Sequence, residues 1–435
     1  MEPDSMYNPY AELNPAELER RLGAAEARMN EWQKRGLSLD LTRGKPSTEQ
    51  LDMVSELGFD QLLSTTDHYA ADGSDCRNYG GLAGLAELRK LFGEWLKVPA
   101  AQVIVMNNSS LKLMYDFIVE ALLTGLPGGE GPWSRLDRVA VLCPAPGYDR
   151  HFALADSLGL ELIPVPMDEN GPDMDLVEEL VKDPAVKLMF AVPQYSNPDG
   201  IVYSDEVCRR LATMETAPDF RVIWDNAYRF HHLVEEPRLC PDILPLAAAS
   251  GHPDRFFEFI STSKISYAGS GIAAVASSPR NVEWLLGRLF YQIIGPDKMN
   301  QLRHLRLLDA AGGLEALMER HAELLRPKFR LANEMLRERH GNGGIVRWLE
   351  PEGGYFIGLH LAPGLARAVV AESARCGVKL TAAGAAWPHG QDPEDSCLRL
   401  APTYPSLSEL KTAMEVLCDA IEVCALRQAA VGVLK

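Results

Sequence analysis

The chain has 435 residues, more than one hydrophobic core usually holds, so we expect two domains. Its hydrophobic fraction of 46% and charged fraction of 24% are typical of a soluble globular protein, and no apolar run approaches the roughly 18 residues that cross a bilayer. The formal net charge of −17 argues against nucleic acid as the main partner, and it means that an anionic substrate needs a local cationic pocket.

The N-terminus and the cysteines indicate the cellular compartment. Residues Met1–Ser5 lack the basic and apolar parts of a signal peptide. The eight cysteines are scattered without a Cys-x-x-Cys pair, which is typical of reduced thiols. We therefore expect a cytoplasmic protein, and we assign no metal-binding residues.

The first hundred residues are expected to hold two helices joined by loops. Apolar residues recur at helical spacing between positions 11 and 36, which predicts an amphipathic helix. Residues 39–46 are extended and end in a Gly/Pro turn, and a turn-rich loop at 72–81 leads into a helix-like stretch at 82–96.

Seven apolar runs then recur, and most of them are separated by stretches with helical periodicity. The runs are Gln102–Met106, Arg138–Cys143, Glu161–Pro166, Val186–Val192, Arg221–Trp224, Phe256–Ile260 and Gly271–Ala276. One intervening helix is expected at 204–214, with Ser204 as its N-cap. This alternation predicts an α/β fold with a mostly parallel seven-stranded sheet between helices, and in such sheets ligands bind at the carboxyl ends of the strands.

The C-terminal part changes in character. Two long helices are followed by three short strands and a closing helix, with the helices expected at 300–311 and 314–339 and the strands at 345–349, 355–360 and 397–400. We assign residues 56–310 to a large ligand-binding domain and 311–435 to a smaller α+β domain. Residues 1–55 are interpreted as an N-terminal segment that joins the small domain.

Polar and aromatic side chains follow the carboxyl ends of several predicted strands. In chain order they are Ser109 and Ser110 at a helix N-terminus, then Tyr148, Asn197, Asp225, Tyr228, Ser261 and Lys264. Taken singly, each can be an ordinary cap, a turn residue, a core aromatic or a surface lysine. A lysine beyond a buried strand can also be desolvated, which lowers its pKa and makes it a nucleophile toward aldehydes.

One ligand accounts for this whole set of side chains, namely pyridoxal 5′-phosphate (PLP). Its aldehyde needs a lysine, its ring nitrogen needs a carboxylate, and its phenolic oxygen needs hydrogen-bond donors. Its phosphate suits hydroxyl groups and backbone N–H groups at a helix N-terminus. The predicted sheet edge offers all of these groups.

The ordered motifs resemble those of fold-type I PLP-dependent aminotransferases. They are Asn197-Pro198-Asp199-Gly200, Asp225-Asn226-Ala227-Tyr228, Ser261-Thr262-Ser263-Lys264 and Arg399. The resemblance runs from Arg43 to Arg399, and the chain looks most like the divergent bacterial aspartate aminotransferases that are sometimes described as MocR-like. It implies the fold-type I PLP-dependent transferase fold and a ping-pong amino transfer from aspartate to 2-oxoglutarate.

The resemblance also implies roles toward the cofactor. Lys264 would bind PLP covalently as an aldimine and shuttle the substrate proton, and Asp225 would pair with the pyridine nitrogen. Asn197 and Tyr228 would hydrogen-bond the phenolic oxygen. The remaining roles are stacking on the ring by Tyr148 and binding of the phosphate by Ser109, Ser110, Ser261 and, from a neighbouring subunit, Tyr79.

For the substrate, the resemblance implies that Arg399 grips the α-carboxylate bidentately and that Gly44 allows close backbone approach. Lys298 is our candidate for reading an acidic side chain, with Arg43 and Lys45 also in range. Shared sites would make the protein a homodimer. One departure concerns the phosphate, because residues 268–272 lack the arginine that many relatives have there. The phosphate would then rely on hydroxyls and helix N-termini, with Ser270 as a candidate substitute.

Alternatives to an aspartate aminotransferase remain open at this point. The same scaffold supports an aminotransferase for aromatic or other amino acids, and it supports a PLP-dependent lyase, which needs no 2-oxo acid acceptor. A non-catalytic, effector-sensing regulator is disfavoured, because fewer than forty-three residues precede Arg43 and they are too few and too acidic for a winged-helix DNA-binding domain.

Overall fold

A computed structural model describes residues 6–64, 66–341 and 344–433. The described residues form thirteen α-helices: α1 (Pro15–Lys34), α2 (Thr48–Glu56), α3 (Ala86–Leu96), α4 (Ser110–Thr124), α5 (Asp149–Ser157), α6 (Met174–Leu180), α7 (Asp205–Thr213), α8 (Ile243–Ala249), α9 (Pro279–Leu289), α10 (Lys298–Ala311), α11 (Leu314–His340), α12 (Ala366–Arg375) and α13 (Leu407–Val433). None of these helices is both long and apolar enough to cross a membrane.

The same residues form thirteen strands: β1 (Leu39–Asp40), β2 (Val103–Met106), β3 (Ala140–Ala145), β4 (Glu161–Asp168), β5 (Gly171–Pro172), β6 (Val186–Ala191), β7 (Arg221–Asp225), β8 (Phe256–Ser261), β9 (Ala273–Ala276), β10 (Val346–Arg347), β11 (Ile357–Leu361), β12 (Val378–Lys379) and β13 (Cys397–Leu400).

The largest sheet has eight strands in the order β2-β9-β8-β7-β6-β3-β4-β5. The run β8-β7-β6-β3-β4 is parallel, whereas β2, β9 and β5 pair antiparallel with their neighbours. Every residue of β3, β6, β7 and β8 is buried, which explains why these strands read as apolar runs rather than as alternating patterns. All seven predicted strands are present. The eighth, β5, has only two residues and is too short to show a periodicity.

Helix α7 begins where the sequence places its cap. Ser204 Oγ accepts a hydrogen bond from the Val207 N–H at 3.3 Å and so caps α7, as predicted. The helices α10 and α11 cover the two long helical stretches predicted at 300–311 and 314–339.

A second group of elements joins the two ends of the chain. Strands β10, β11 and β13 form an antiparallel sheet, and β1 pairs in parallel with β12. Helix α1 lies on α13, where Trp32 Nε1 donates to Asp419 Oδ2 at 2.7 Å. The residues near the N-terminus therefore pack on C-terminal elements. The domain boundaries at residues 55 and 310 stay predictions.

Candidate active site

Lys264 and Asp225 lie at the carboxyl edge of the eight-stranded sheet. Asp225 ends β7, and Lys264 follows the parallel neighbour β8 by three residues. The Lys264 ammonium lies 5.0 Å from the centre of the Tyr228 ring and 5.8 Å from that of Tyr355. Burial lowers the pKa of Lys264, and the charge of Asp225 opposes this only in part. A larger share of the amine is therefore neutral and nucleophilic than in an exposed lysine.

Asp225 is oriented by a histidine that the sequence analysis missed. Asp225 Oδ2 lies 3.0 Å from His151 Nε2, and the His151 ring stacks on Phe190 with a centroid distance of 4.6 Å. Asp225 Oδ1 is buried and has no hydrogen-bond partner among the described residues. A buried carboxylate oxygen needs a donor, and a protonated pyridine nitrogen supplies one. The available signal was spacing, because His151 on α5 follows Tyr148, the N-cap residue of that helix, by three residues, and the centres of the two rings lie 4.9 Å apart.

The backbone of Lys264 is held by buried groups from two other segments. Lys264 O accepts hydrogen bonds from His231 Nε2 and from Tyr355 Oη, each at 3.4 Å. Burial, together with the nearby charges of His321 and Lys264, lowers the pKa of His231 to about 3. His231 is therefore neutral at physiological pH, and it orients the lysine without adding a second positive charge.

Two further histidines hold the residues that follow Lys264. His321 Nε2 donates to Ile265 O at 2.9 Å, and His321 Nδ1 lies 2.9 Å from Gln50 Nε2. His304 Nε2 lies 2.8 Å from Ser266 Oγ. Burial lowers the pKa of both histidines to about 4. These contacts join distant parts of the chain, so no local sequence pattern could indicate them.

The residues predicted to bind a phosphate lie around the start of α4. Ser109 Oγ caps this helix by accepting a first-turn N–H at 3.2 Å, and Ser110 is its first residue. Ser261 ends β8 opposite Ala273, whose N–H donates to Asn107 O at 2.7 Å. The Ser261 backbone is thus linked through one residue to the loop that opens α4. The phosphate-binding role of these serines stays a prediction.

Of three predicted cofactor ligands, Asn197 and Tyr228 are buried and Tyr148 is half-buried. Tyr148 and Asn197 line a small cavity together with His151. Burial, with the charges of Asp225 and Asp149, raises the pKa of Tyr148 to about 12. Burial likewise raises the pKa of Tyr228 well above its usual value, so the Tyr228 hydroxyl stays protonated and can donate a hydrogen bond. Their contacts with a cofactor stay predictions.

Arg399 lies on β13 with one edge of its guanidinium engaged. Its Nη1 contacts Asp149 Oδ1 at 2.7 Å and Asn197 Oδ1 at 3.4 Å, whereas its buried Nε has no hydrogen-bond partner in the part of the chain that the structure describes. The guanidinium carbon lies 5.2 Å from the centre of the Phe356 ring. A Cβ at Gly44 would lie 2.0 Å from Phe356 Cζ, so only glycine fits there. The free Nε is suited to a substrate carboxylate.

Lys298 and Tyr79 contact each other rather than the lysine site. Lys298 begins α10, is only 6% exposed, and donates from Nζ to Tyr79 O at 3.2 Å. The Tyr79 residue is 81% exposed. Within the described residues, neither side chain hydrogen-bonds to Lys264, Asp225 or Arg399. Their predicted roles in the site are therefore untested by a single chain.

The other two basic candidates flank Gly44 at the surface. Arg43 Nε donates to Asp40 Oδ2 at 2.8 Å, and the Lys45 ammonium lies 4.6 Å from the centre of the Tyr404 ring. Both side chains are exposed, so they can attract an anionic substrate but are not fixed in a buried site.

The donor set fits PLP, as the two unpartnered atoms show. Asp225 Oδ1 is a buried acceptor at a strand end, and Arg399 Nε is a buried donor. Their neighbours His151 and Asn197 line one small cavity. Buried polar atoms without a partner are uncommon in proteins, and a ligand can complete them. With a lysine of lowered pKa in the loop after β8, the arrangement suits a cationic heterocycle and a carboxylate-bearing substrate.

Comparison with known proteins agrees with this chemistry. Residues 13–432 match the family model described as aspartate amino-transferase. The chain is 46% identical over 404 residues to an aspartate aminotransferase of Corynebacterium glutamicum, covering 93% of this chain and 92% of that protein. It is 47% identical over 406 residues to an aminotransferase of Mycolicibacterium smegmatis, covering 93% and 94% of the two chains.

Solved structures show the same relationship. A crystal structure of an aspartate transaminase from Corynebacterium glutamicum matches with a TM-score of 0.93 and 43% identity, covering 98% of this chain and all (100%) of that one. The α-aminoadipate aminotransferase LysN of Thermus thermophilus, complexed with N-(5′-phosphopyridoxyl)-L-leucine, matches with a TM-score of 0.73 at 22% identity, covering 95% and 97%, and shows the shared fold alone. The chain therefore belongs to the aspartate aminotransferase family of PLP-dependent, fold-type I aminotransferases.

Proposed function

We propose that this aminotransferase moves the amino group of aspartate to 2-oxoglutarate in a ping-pong reaction, with PLP held covalently by Lys264. The observation that carries the proposal is the buried Asp225 carboxylate beside a lysine of lowered pKa at one sheet edge. The aspartate preference is supported by the Corynebacterium glutamicum aspartate aminotransferase, which is 46% identical over most of both chains.

PLP, when bound, supplies an aldehyde carbon for the amine and an electron-withdrawing ring that stabilises negative charge at the substrate Cα. Asp225 Oδ1 would hold a proton on the ring nitrogen, and His151 keeps the carboxylate in that orientation. Tyr228 would donate from its hydroxyl to the phenolic oxygen. Once the substrate amine has displaced it from the cofactor, Lys264 Nζ would be free to remove the proton from the substrate Cα and to deliver it to the former aldehyde carbon of PLP.

Two cationic side chains would each bind one carboxylate of the substrate. Arg399 presents its Nε edge to the α-carboxylate, while its Nη1 stays with Asp149 and Asn197. Lys298 would read the side-chain carboxylate, because its buried ammonium donates to one backbone carbonyl and forms no ion pair with any described residue. A buried ammonium without a counter-charge is costly, and an acidic substrate would relieve that cost.

We also propose that the protein is a homodimer with shared sites. The exposed apolar side chains near the loop at 72–81 form one face, consisting of Tyr79, Phe290, Tyr291 and Ile294, which are 81%, 70%, 79% and 66% exposed. The two segments touch, since a Cβ at Gly295 would lie 2.5 Å from Gly80 O. An apolar face of this kind is suited to a second copy of the chain. Tyr79 would then reach the phosphate in the partner's site.

The proposal is tested by identifying the products and the attachment point. Reduction of the purified protein with borohydride, followed by peptide mass spectrometry, should locate a phosphopyridoxyl group on Lys264. Aspartate with 2-oxoglutarate should give oxaloacetate and glutamate with parallel double-reciprocal plots. Release of ammonia without a 2-oxo acid would instead identify a lyase, and a faster reaction with phenylalanine or tyrosine would identify an aromatic aminotransferase.

A further inference from the structure

We propose that Asp199 and His360 form a positioning pair, which holds β11, the strand paired with the one that carries Arg399, against the loop that carries Asn197. The pair would thereby set the shape of the site that binds the substrate α-carboxylate. This inference rests on the proposed substrate-binding roles of Arg399 and Asn197.

Asp199 is firmly connected to Asn197. It lies two residues further along a tight turn, which is closed by a hydrogen bond of 2.7 Å from the Gly200 N–H to Ser196 O. The Asp199 side chain is buried, and its Oδ2 lies 3.2 Å from His360 Nε2. Its other oxygen, Oδ1, is buried without a hydrogen-bond partner among the described residues. His360 is thus the one polar side chain that holds this carboxylate there.

The Asp199 carboxylate also contacts β11, the strand that pairs with the strand of Arg399. His360 and Gly358 both lie on β11, and Gly358 is the register partner of Arg399 on β13. A Cβ at Gly358 would lie 1.8 Å from Asp199 Oδ1, so the carboxylate touches the bare backbone of β11. Any movement of Asp199 relative to β11 therefore changes the separation between the Asn197 loop and Arg399.

The charges around His360 favour an ion pair. Burial lowers the pKa of His360, but the hydrogen bond and the charge of Asp199 outweigh burial, and the net effect is a raised pKa. Arg347, its register partner on β10, opposes protonation, and Asp392 favours it. Cys397, the register partner on β13, is a neutral thiol, since burial and the charges of Asp199 and Asp392 raise its pKa. The ion pair is therefore complete at low pH and is lost as the pH rises through the raised pKa.

The expected effect is on substrate binding rather than on proton transfer. When His360 loses its proton, a charge-assisted hydrogen bond becomes a neutral and weaker one. The contact of 3.4 Å between Arg399 Nη1 and Asn197 Oδ1 then loosens, and the α-carboxylate is held less well. Lys264 and Asp225, which would act in proton transfer, lie at the edge of the other sheet, so kcat should change much less than KM although Asn197 is also a predicted cofactor ligand.

The test measures kcat and KM between about pH 6 and about pH 9 for the wild-type holoenzyme and for His360→Gln, which keeps a side-chain N–H donor but cannot titrate. As the pH rises over this range, KM of the wild type should increase about fivefold more than KM of the variant. That factor corresponds to about 1 kcal/mol of binding free energy. The kcat values should agree within about twofold. The same difference is expected for aspartate and for alanine, because both carry an α-carboxylate. The affinity for succinate, measured by calorimetry, should follow KM.

Asp199→Asn should abolish the same pH dependence, and combining both changes should add nothing further. The matched control is His389→Gln, because His389 pairs with Asp156 at 3.5 Å on the surface, and this variant should leave the KM profile unchanged.

Normal amino transfer with the wild-type KM profile in both variants would overturn the positioning pair, and so would a fall in kcat equal to the rise in KM. A lack of reaction with any amino acid would instead refute the proposed function. If neither variant folds, an NMR titration of the wild-type His360 ring decides, since a pKa at or below the ordinary value would overturn the pair.

Discussion

Two loops of the molecule differ in whether a single chain surrounds their functional side chain or leaves it exposed. The lysine loop, residues 261–266, is surrounded by partners from the same chain, including three neutral buried histidines. The tyrosine loop, residues 72–81, exposes Tyr79 to solvent and is held at that residue by Lys298. A nucleophilic amine must be desolvated, so its surroundings have to be built within the fold. A group that serves a second copy has to stay exposed until that copy binds.

The strongest test of the lysine loop removes its amine. Lys264→Ala should lower kcat by about 10⁴-fold, because both the attachment of the cofactor and the proton transfer at Cα are lost. Lys112→Ala is the matched control, since Lys112 lies on α4 near the same site but pairs with Asp116. Its steady-state rate should stay within about twofold of the wild type. A Lys264→Ala variant with activity within about tenfold of the wild type would contradict the assignment.

A second test concerns the neutral histidines behind the lysine loop. Burial lowers the pKa of His321 to about 4, so the folded state resists protonation and loses stability as the pH falls below about 6.5. Between about pH 7 and about pH 5, His321→Gln should lose about 2 kcal/mol less unfolding free energy than the wild type. Urea titrations at the two pH values measure this difference.

The control for that experiment is His68→Gln, because the His68 ring packs on Tyr69 in the tyrosine loop region rather than in the core. It should lose as much stability on acidification as the wild type. Equal losses in His321→Gln and the wild type would mean that folding does not lower the pKa of His321.

The third test asks whether Lys298 binds the side-chain carboxylate of the substrate or only supports the tyrosine loop. If its ammonium binds the side-chain carboxylate, Lys298→Ala should raise KM for aspartate about tenfold and KM for alanine less than about twofold. Lys90→Ala serves as the control, since Lys90 lies on the surface 3.9 Å from Glu94. Equal increases for both amino acids would assign Lys298 to loop support alone.

The smallest expected effect concerns Tyr79 itself. Tyr79→Phe removes one hydroxyl from the exposed face, and it should weaken PLP binding by about fivefold through the loss of one hydrogen bond to the phosphate. Reconstitution of the apoprotein followed by absorbance measures the affinity, and sedimentation should show an unchanged dimer. Tyr69→Phe, an equally conservative change at a half-exposed position, should have no effect. An unaltered affinity in Tyr79→Phe would indicate that one chain completes its own phosphate site.

The fold could be predicted largely because its central strands are buried on both faces. Such strands appear in the sequence as apolar runs that alternate with helical patterns, and all seven runs became strands of the large sheet. The two-residue strands β5 and β12 were not predicted, because two residues carry no periodicity. Residues 39–46 were expected to be extended, but the pairing of β1 with β12 could not be predicted, because it joins residues as distant in sequence as Leu39 and Val378.

The candidate site likewise contains residues that could be placed from the sequence and residues that could not. Asp225 and Lys264 could be placed from the sequence, because polar residues that follow buried strands in a parallel sheet lie at one edge. His321 and the contact of Arg399 with Asp149 could not be, since each depends on the packing of separate elements. For His151 the only signal was its spacing from Tyr148. The groups expected to react could thus be predicted from the sequence, whereas most of the groups that orient them became apparent only in the structure.

The absence of a side chain at Gly44 has a consequence for the beginning of the chain. The Gly44 backbone faces the Phe356 ring, and that ring lies beside the Arg399 guanidinium. Because β1 pairs with β12, the stretch that contains Gly44 lies against the C-terminal part of the chain, which carries Phe356 and Arg399. A protein that lacks the residues up to Gly44 would keep its lysine and its aspartate, but the Phe356 ring would lose the glycine backbone that packs on it. The proposed binding of the amino acid would then depend on residues from both the N-terminal and the C-terminal parts of the polypeptide.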